Sequence, residues 1–92
     1  MTDPLFDETG RIVMARADLN VLVHAAVEEC PECDTCEIDS VSWHERDSTG
    51  CNWDAAIIRA DSAVCRECVS RHVAALQAMY SLPDEAQVSR AA

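Results

Sequence analysis

The sequence predicts a small single-domain α+β fold: an N-terminal helix, a cysteine-rich turn, a β-hairpin and a C-terminal helix, in that order. Three observations predict it. Leu19, Leu22, Val23, Ala26 and Cys30 recur at helical spacing, and so do Cys65, Val69, Val73, Leu76 and Tyr80. Between the two stripes, β-branched and aromatic residues alternate with polar ones on either side of Asp47-Ser48-Thr49-Gly50, a turn by composition. Two C-x-x-C pairs, Cys30/Cys33 and Cys65/Cys68, bracket the alternating stretch.

Taken in order, residues 1–10 read as an acidic lead-in ending at Gly10, and Ile12-Val13-Met14 as a short strand. Asp18 is the expected N-cap of a helix over 17–29, which Pro31 stops, because the residue before proline avoids helical geometry. Residues 30–36 form a knuckle-like turn. Residues 37–60 form the hairpin, with Val41 and Trp43 on one face of its first arm and Trp53, Ala55 and Ile57 on one face of its second. Trp43 and Trp53 are expected to pack across it rather than to bind a ligand. Asp61 or Ser62 caps a helix over 62–81, with Cys68 and His72 flanking its apolar stripe. Leu82-Pro83 ends that helix, and 84–92 read as a tail. No internal repeat or low-complexity segment is visible.

Size and charge narrow the possibilities. A chain of 92 residues is expected to make one domain, 1–92, and a domain this small gains much from a staple. Its aromatic residues are two Trp, one Tyr and one Phe, so large apolar side chains are scarce. The formal net charge is −10, from 17 acidic and 7 basic residues, and every basic residue is arginine. Nucleic acids are bound by neutralising phosphates, so this charge opposes direct binding to DNA or RNA and suits a basic protein partner or plain solubility. No stretch approaches the roughly 18 apolar residues of a membrane span. The acidic N-terminus resembles neither a secretory signal nor a transit peptide. The expected location is the cytoplasm, where thiols stay reduced, and that tilts the cysteines toward metal rather than disulfides.

Zinc takes four tetrahedral ligands and favours soft sulfur donors. Two cysteines two residues apart fit one tight turn, and two at i,i+3 fit one helix face. Cys30 and Cys33 supply the turn; Cys65 and Cys68 supply the helix face. Cys30, Cys33, Cys65 and Cys68 are therefore the expected ligands of one structural Zn2+ ion. Cys36 is an alternative to Cys30, and His72 to Cys65; a disulfide scaffold is the rival use of the same residues. Cys51 reads as a small buried residue.

Knuckle, hairpin 37–60 and Cys65-Arg66-Glu67-Cys68 together resemble the treble-clef group of zinc fingers over about residues 30–80. One departure is Asp34, where such knuckles commonly carry glycine. The resemblance implies a hairpin and a helix closed around one zinc, and no particular activity.

With four sulfurs closing the metal shell, no position is left for a reacting water, and Gly10 and Gly50 are too few for a phosphate or oxyanion loop. The chain is expected not to be an enzyme. The leading expectation is an acidic protein-interaction module that presents Glu37, Asp39, Glu45, Asp47 and Asp54 to a protein with a basic surface, extended by Glu28, Glu29, Glu32 and Asp34. In size and charge alone the chain resembles small acidic phage inhibitors such as anti-CRISPRs, which implies a decoy for a nucleic-acid-binding groove. The alternative is a zinc-finger accessory module that contacts nucleic acid through its C-terminal helix, with Arg59, Arg66, Arg71 and Arg90 as contacts.

Overall fold

The two helical stripes and the alternating stretch become two helices and a hairpin in the computed structural model, which describes residues 5–83. The elements are β1 (Ile12–Val13), α1 (Arg16–Glu28), β2 (Glu37–Ile38), β3 (Ser42–Trp43), β4 (Trp53–Asp54), β5 (Ile57–Arg59), α2 (Ala63–Met79) and β6 (Tyr80–Ser81). This is a small α+β domain with a helix on each side of a hairpin and its cysteine motif. Residues 1–4 and the proposed tail, Arg90 included, lie outside the described residues.

α1 buries Leu19, Val23 and Ala26, the stripe expected. Its N-cap is Ala15, which offers no side-chain acceptor, and Asp18 sits in the first turn instead. That corrects the expected cap: Asp18 still faces the positive end of the helix dipole, but from inside the helix. α2 buries Cys65, Cys68, Val69 and Val73. Ser62 caps it by accepting a hydrogen bond from the Cys65 amide at 3.1 Å. α1 packs against α2, and Val41, Trp53 and Leu82 complete the core between them. Fully burying side chains of this size stabilises the fold by roughly 1.5–3 kcal/mol each.

The hairpin is not one continuous ladder. Ser42 pairs with Asp54 and Trp43 with Trp53, whereas Ile38 pairs with Ile57 and Glu37 with Arg59. Asp39, Ser40 and Val41 on one arm therefore face only Ala55 and Ala56 on the other, a bulge of one residue. The bulge turns the Val41 amide out of the ladder, and it donates to Asn20 Oδ1 of α1 at 2.7 Å. The two tryptophans meet across the hairpin as expected. Trp53 is fully buried, and its indole N–H donates to the Tyr80 carbonyl at 2.9 Å. The indole N–H of Trp43 has no hydrogen-bond partner among the described residues.

The chain leaves α2 earlier than expected. Tyr80 is extended, and Tyr80–Ser81 runs parallel to Ile12–Val13, so the short strand at 12–14 has a partner that the sequence reading did not foresee. Asn52 fixes the next residue from both sides: its Nδ2 donates to the Leu82 carbonyl at 2.8 Å and its Oδ1 accepts from the Leu82 amide at 2.9 Å.

Residues 5–10 are not a lead-in. Phe6 bridges Ile12, the Val13 amide donates to the Leu5 carbonyl, and Asp7 to Arg11 closes a second tight turn. This turn and the hairpin turn are built alike. In each, Oδ1 of the aspartate (Asp7, Asp47) accepts from the amide and hydroxyl of the threonine two residues on (Thr9, Thr49). The same oxygen accepts from the amide four residues on, Arg11 or Cys51. A glycine at φ +86° or +89°, Gly10 or Gly50, reverses the chain in a conformation that other residues rarely adopt. The Asp-x-Thr-Gly turn is thus repeated in a chain read as having no repeat; at four residues it is too short for periodicity to reveal.

The two turns lie against each other. A Cβ on Gly50 would come within 2.9 Å of the Thr9 side chain. Arg46 Nη1 donates to Asp7 Oδ2 at 3.0 Å and to the Gly50 carbonyl at 2.8 Å. In return, Arg11 donates from Nη2 to the Thr49 carbonyl and from Nε to the Gln77 carbonyl of α2. Burial pushes the Asp7 carboxyl up, but hydrogen bonds from the Thr9 hydroxyl and the Arg11 and Thr9 amides outweigh it and hold it well below the usual aspartate range.

A carboxyl held low in the folded state stabilises the fold at pH above its unfolded value, near 3.9, and that stability is lost as pH falls below it. Asp7→Asn should therefore cost about 1 kcal/mol at pH 7. Urea melts should show the gap between native and variant closing as pH drops below about 4.

Candidate metal centre

The cysteines converge where the knuckle meets the start of α2. Helix α1 ends at Glu28, and the chain turns at once: the Cys30 amide donates to the Val27 carbonyl, and the Cys33 amide to the Cys30 carbonyl at 3.0 Å. This closes the tight turn that a C-x-x-C pair requires. On the facing segment the Ser62 cap places Cys65 in the first turn of α2, and Cys68 follows one turn later on the same side. A helix N-terminus favours thiolate over thiol, because its unpaired amides carry partial positive charge.

The sulfurs are joined across this junction in two bonded pairs, Cys30 with Cys68 and Cys33 with Cys65. Each pair has a further donor beside it. Cys30, Cys68 and His72 form one group, and Cys33, Cys36 and Cys65 another; within each, the ligand atoms lie within 4.8 Å of one another, close enough to hold a metal ion. The donors are those zinc prefers: five sulfurs and one imidazole, with Cys30, Cys65 and Cys68 buried. These Cys/His groups make a structural Zn2+-binding site, set in a helix-and-strand frame of zinc-finger type. Of the two alternative ligands, Cys36 lies beside Cys33 and Cys65, and His72 beside Cys30 and Cys68.

The residue that ties the junction together was missed. Asp61, weighed only as a helix cap, is left free once Ser62 takes that role, and its carboxylate turns to the knuckle. It accepts from the Asp34 amide, from the Thr35 amide at 2.9 Å and from the Thr35 hydroxyl. The Thr35 hydroxyl, followed by the Thr35 and Asp34 amides, pulls the Asp61 carboxyl below its ordinary value. This answers the departure at Asp34. No non-glycine residue among those described has positive φ, so Asp34 does not adopt the left-handed conformation that glycine supplies elsewhere. Asp61 fixes the loop instead. Two capping residues side by side before a helix were the available signal, since only one can be the N-cap.

The remaining cysteines are set apart by their surroundings. Burial pushes the thiols of both Cys36 and Cys51 up. Cys51 is buried in the core and its Sγ donates to the Trp53 carbonyl at 3.2 Å, while His44 Nδ1 is bonded to the Glu45 carbonyl.

The acidic residues separate into two kinds. Glu37, Asp39, Glu45 and Asp54 are exposed, with Glu37 in an ion pair with Arg59 at 3.0 Å. Asp47 is also exposed, but its Oδ1 is committed to the turn through Thr49 and Cys51. Glu28, Asp34 and Glu37, from the end of α1, the knuckle and the hairpin, line one open cleft of about 410 Å3 together with Cys33 and Cys36.

The chain matches no family model, and no curated protein or solved structure is significantly similar to it. Its chemistry is therefore read from its own residues.

Partners outside the metal shell that orient ligands typically carry 10–100-fold of metal affinity. Asp61→Asn should lower zinc affinity about 10-fold in a chelator competition, with helix content in circular dichroism unchanged.

Proposed function

We propose that the chain is a zinc-stabilised acidic module for binding a protein partner, with Cys30, Cys33, Cys65 and Cys68 as the four ligands of one zinc in a treble-clef-type arrangement. The cleft carries this reading: Glu28, Asp34 and Glu37 come from three separate elements and gather around one opening beside the cysteines. A like-charged cluster costs stability unless something offsets it, and a basic group of a partner does so on binding. Glu37, Asp39, Glu45 and Asp54 extend the negative side along the hairpin. Asp47, exposed at the turn with its Oδ1 held by Thr49 and Cys51, belongs to the same negative side. In the sharper form of this proposal the partner's basic surface is a nucleic-acid-binding groove and the chain acts as a decoy in the cytoplasm, in the manner of an anti-CRISPR. A closed four-sulfur shell supports a non-enzymatic role.

The nucleic-acid alternative is less well supported. Arg59 is engaged by Glu37, which leaves Arg66 and Arg71 as the exposed arginines of α2 among the described residues. Two arginines against a charge of −10 supply little phosphate affinity.

Two measurements test the proposal. Metal analysis of the reduced protein should find one zinc per chain. Cys65→Ser should lose both zinc and cooperative unfolding, because in such sites binding energy is folding energy, whereas Cys51→Ser should keep its zinc. For the partner, captured from the native host, charge reversal at Glu37, Asp39, Glu45 and Asp54 should slow association about 10-fold or more at low salt with zinc content intact. Binding unchanged by all four reversals would contradict the acidic face. A ternary complex of this chain, its partner and nucleic acid would contradict the decoy.

A further inference from the structure

The four sulfurs read as zinc ligands also stand in two bonding pairs, Cys30 with Cys68 and Cys33 with Cys65. Each pair joins the knuckle to α2, the same two segments that a zinc ion would join. The junction can therefore be closed in either of two chemical states without changing which segments it holds. The four cysteines are not equally reachable. Cys30, Cys65 and Cys68 are 1%, 0% and 9% exposed, whereas Cys33 is only half-buried and lines the open cleft of about 410 Å3. Oxidation of cysteine follows thiolate character and access, and a cleft of this size admits a small oxidant.

We propose that the metal centre is an oxidation-sensitive site: a peroxide enters by the cleft, attacks Cys33, and the sulfurs pair as Cys33–Cys65 and then Cys30–Cys68 with release of zinc. The inference rests on the four-thiolate reading above. In the first step the Cys33 thiolate displaces hydroxide from hydrogen peroxide and becomes a sulfenic acid. The Cys65 thiolate then attacks that sulfur, forms the S–S bond and expels hydroxide. Two electrons pass from the sulfur pair to the peroxide O–O bond, whose oxygens leave as two hydroxides that each take a proton from solvent. The metal then keeps only Cys30 and Cys68, with the His72 imidazole beside them, a weaker shell than four thiolates from which zinc is released, and a second peroxide closes Cys30–Cys68 in the same way. Cys36 lies within the Cys33–Cys65 group and is a competing acceptor. A Cys33–Cys36 bond would lie wholly within the knuckle and leave Cys65 of α2 untied, whereas the Cys33–Cys65 pairing keeps that tie.

The test uses the full chain, reduced and loaded with zinc. Hydrogen peroxide is added in steps, released zinc is read with a chromophoric chelator, and thiols are mapped by differential alkylation and mass spectrometry. Cys33 and Cys65 should become protected first, with zinc leaving at that step, and Cys30 and Cys68 second. Cys36 and Cys51 should remain alkylatable. Cys36→Ser should give the same pairs in the same order, and a dithiol reductant with added zinc should restore the starting state. Loss of Cys30 and Cys68 first, a dominant Cys33–Cys36 bond, or zinc retained after two equivalents of peroxide would each overturn the inference and leave the zinc reading standing. Absence of zinc from the reduced, folded protein would bring down both.

Discussion

The fold depends on the junction where the Cys30–Cys33 turn meets the first turn of α2. Everything between the two C-x-x-C pairs is a hairpin whose strands are two or three residues long and whose ladder is broken by a bulge. Such a hairpin is not stable alone. It is held because its two ends are brought together, by the sulfurs on one side and by the Asp61 carboxylate on the other. Structural zinc contributes on the order of 10–16 kcal/mol in small zinc-finger peptides at pH 7. That is as large as the whole stability of a typical domain. A chain with four aromatic residues can therefore fold around a core of Leu19, Val23, Val41, Trp53, Val69, Val73 and Leu82.

A second set of ties is polar and needs no metal. The two Asp-x-Thr-Gly turns are crossed by Arg46 and Arg11, each reaching from its own turn to the other. Arg11 also reaches Gln77 in α2. Asn52 and Trp53 then hold residues 80–82 by their backbone. The ends of the described chain are thus fastened to the hairpin tip. These ties account for two of the seven arginines: each long, planar guanidinium fork presents fixed N–H donors to oxygens on separate segments.

The sequence made some of this legible and hid the rest for physical reasons. Helical spacing identified both helices because each buries one continuous stripe. Alternation identified the hairpin and the Trp43–Trp53 pair, and the paired C-x-x-C motifs pointed to four of the six Cys and His residues that gather at the junction. What stayed hidden depended on contacts between residues distant in the chain. The parallel strand at Tyr80–Ser81 carries no periodic signal in two residues. Asn20, Asn52 and Asp61 act through backbone amides and carbonyls far from them in sequence, so their types alone looked like ordinary surface or cap residues. Asp18 failed as a cap because Ala15 begins the helix without one.

The cysteine junction also links stability to function. It lies beside the cleft where three carboxylates from separate elements meet, so loosening the junction would also disperse the charge that the proposed partner recognises. The most direct test of the account is zinc-edge X-ray absorption on the reduced protein loaded with one equivalent of zinc. The account predicts a shell of four sulfurs at about 2.3 Å. A shell containing nitrogen or oxygen donors, or a reduced protein that folds cooperatively and takes up no zinc, would contradict it.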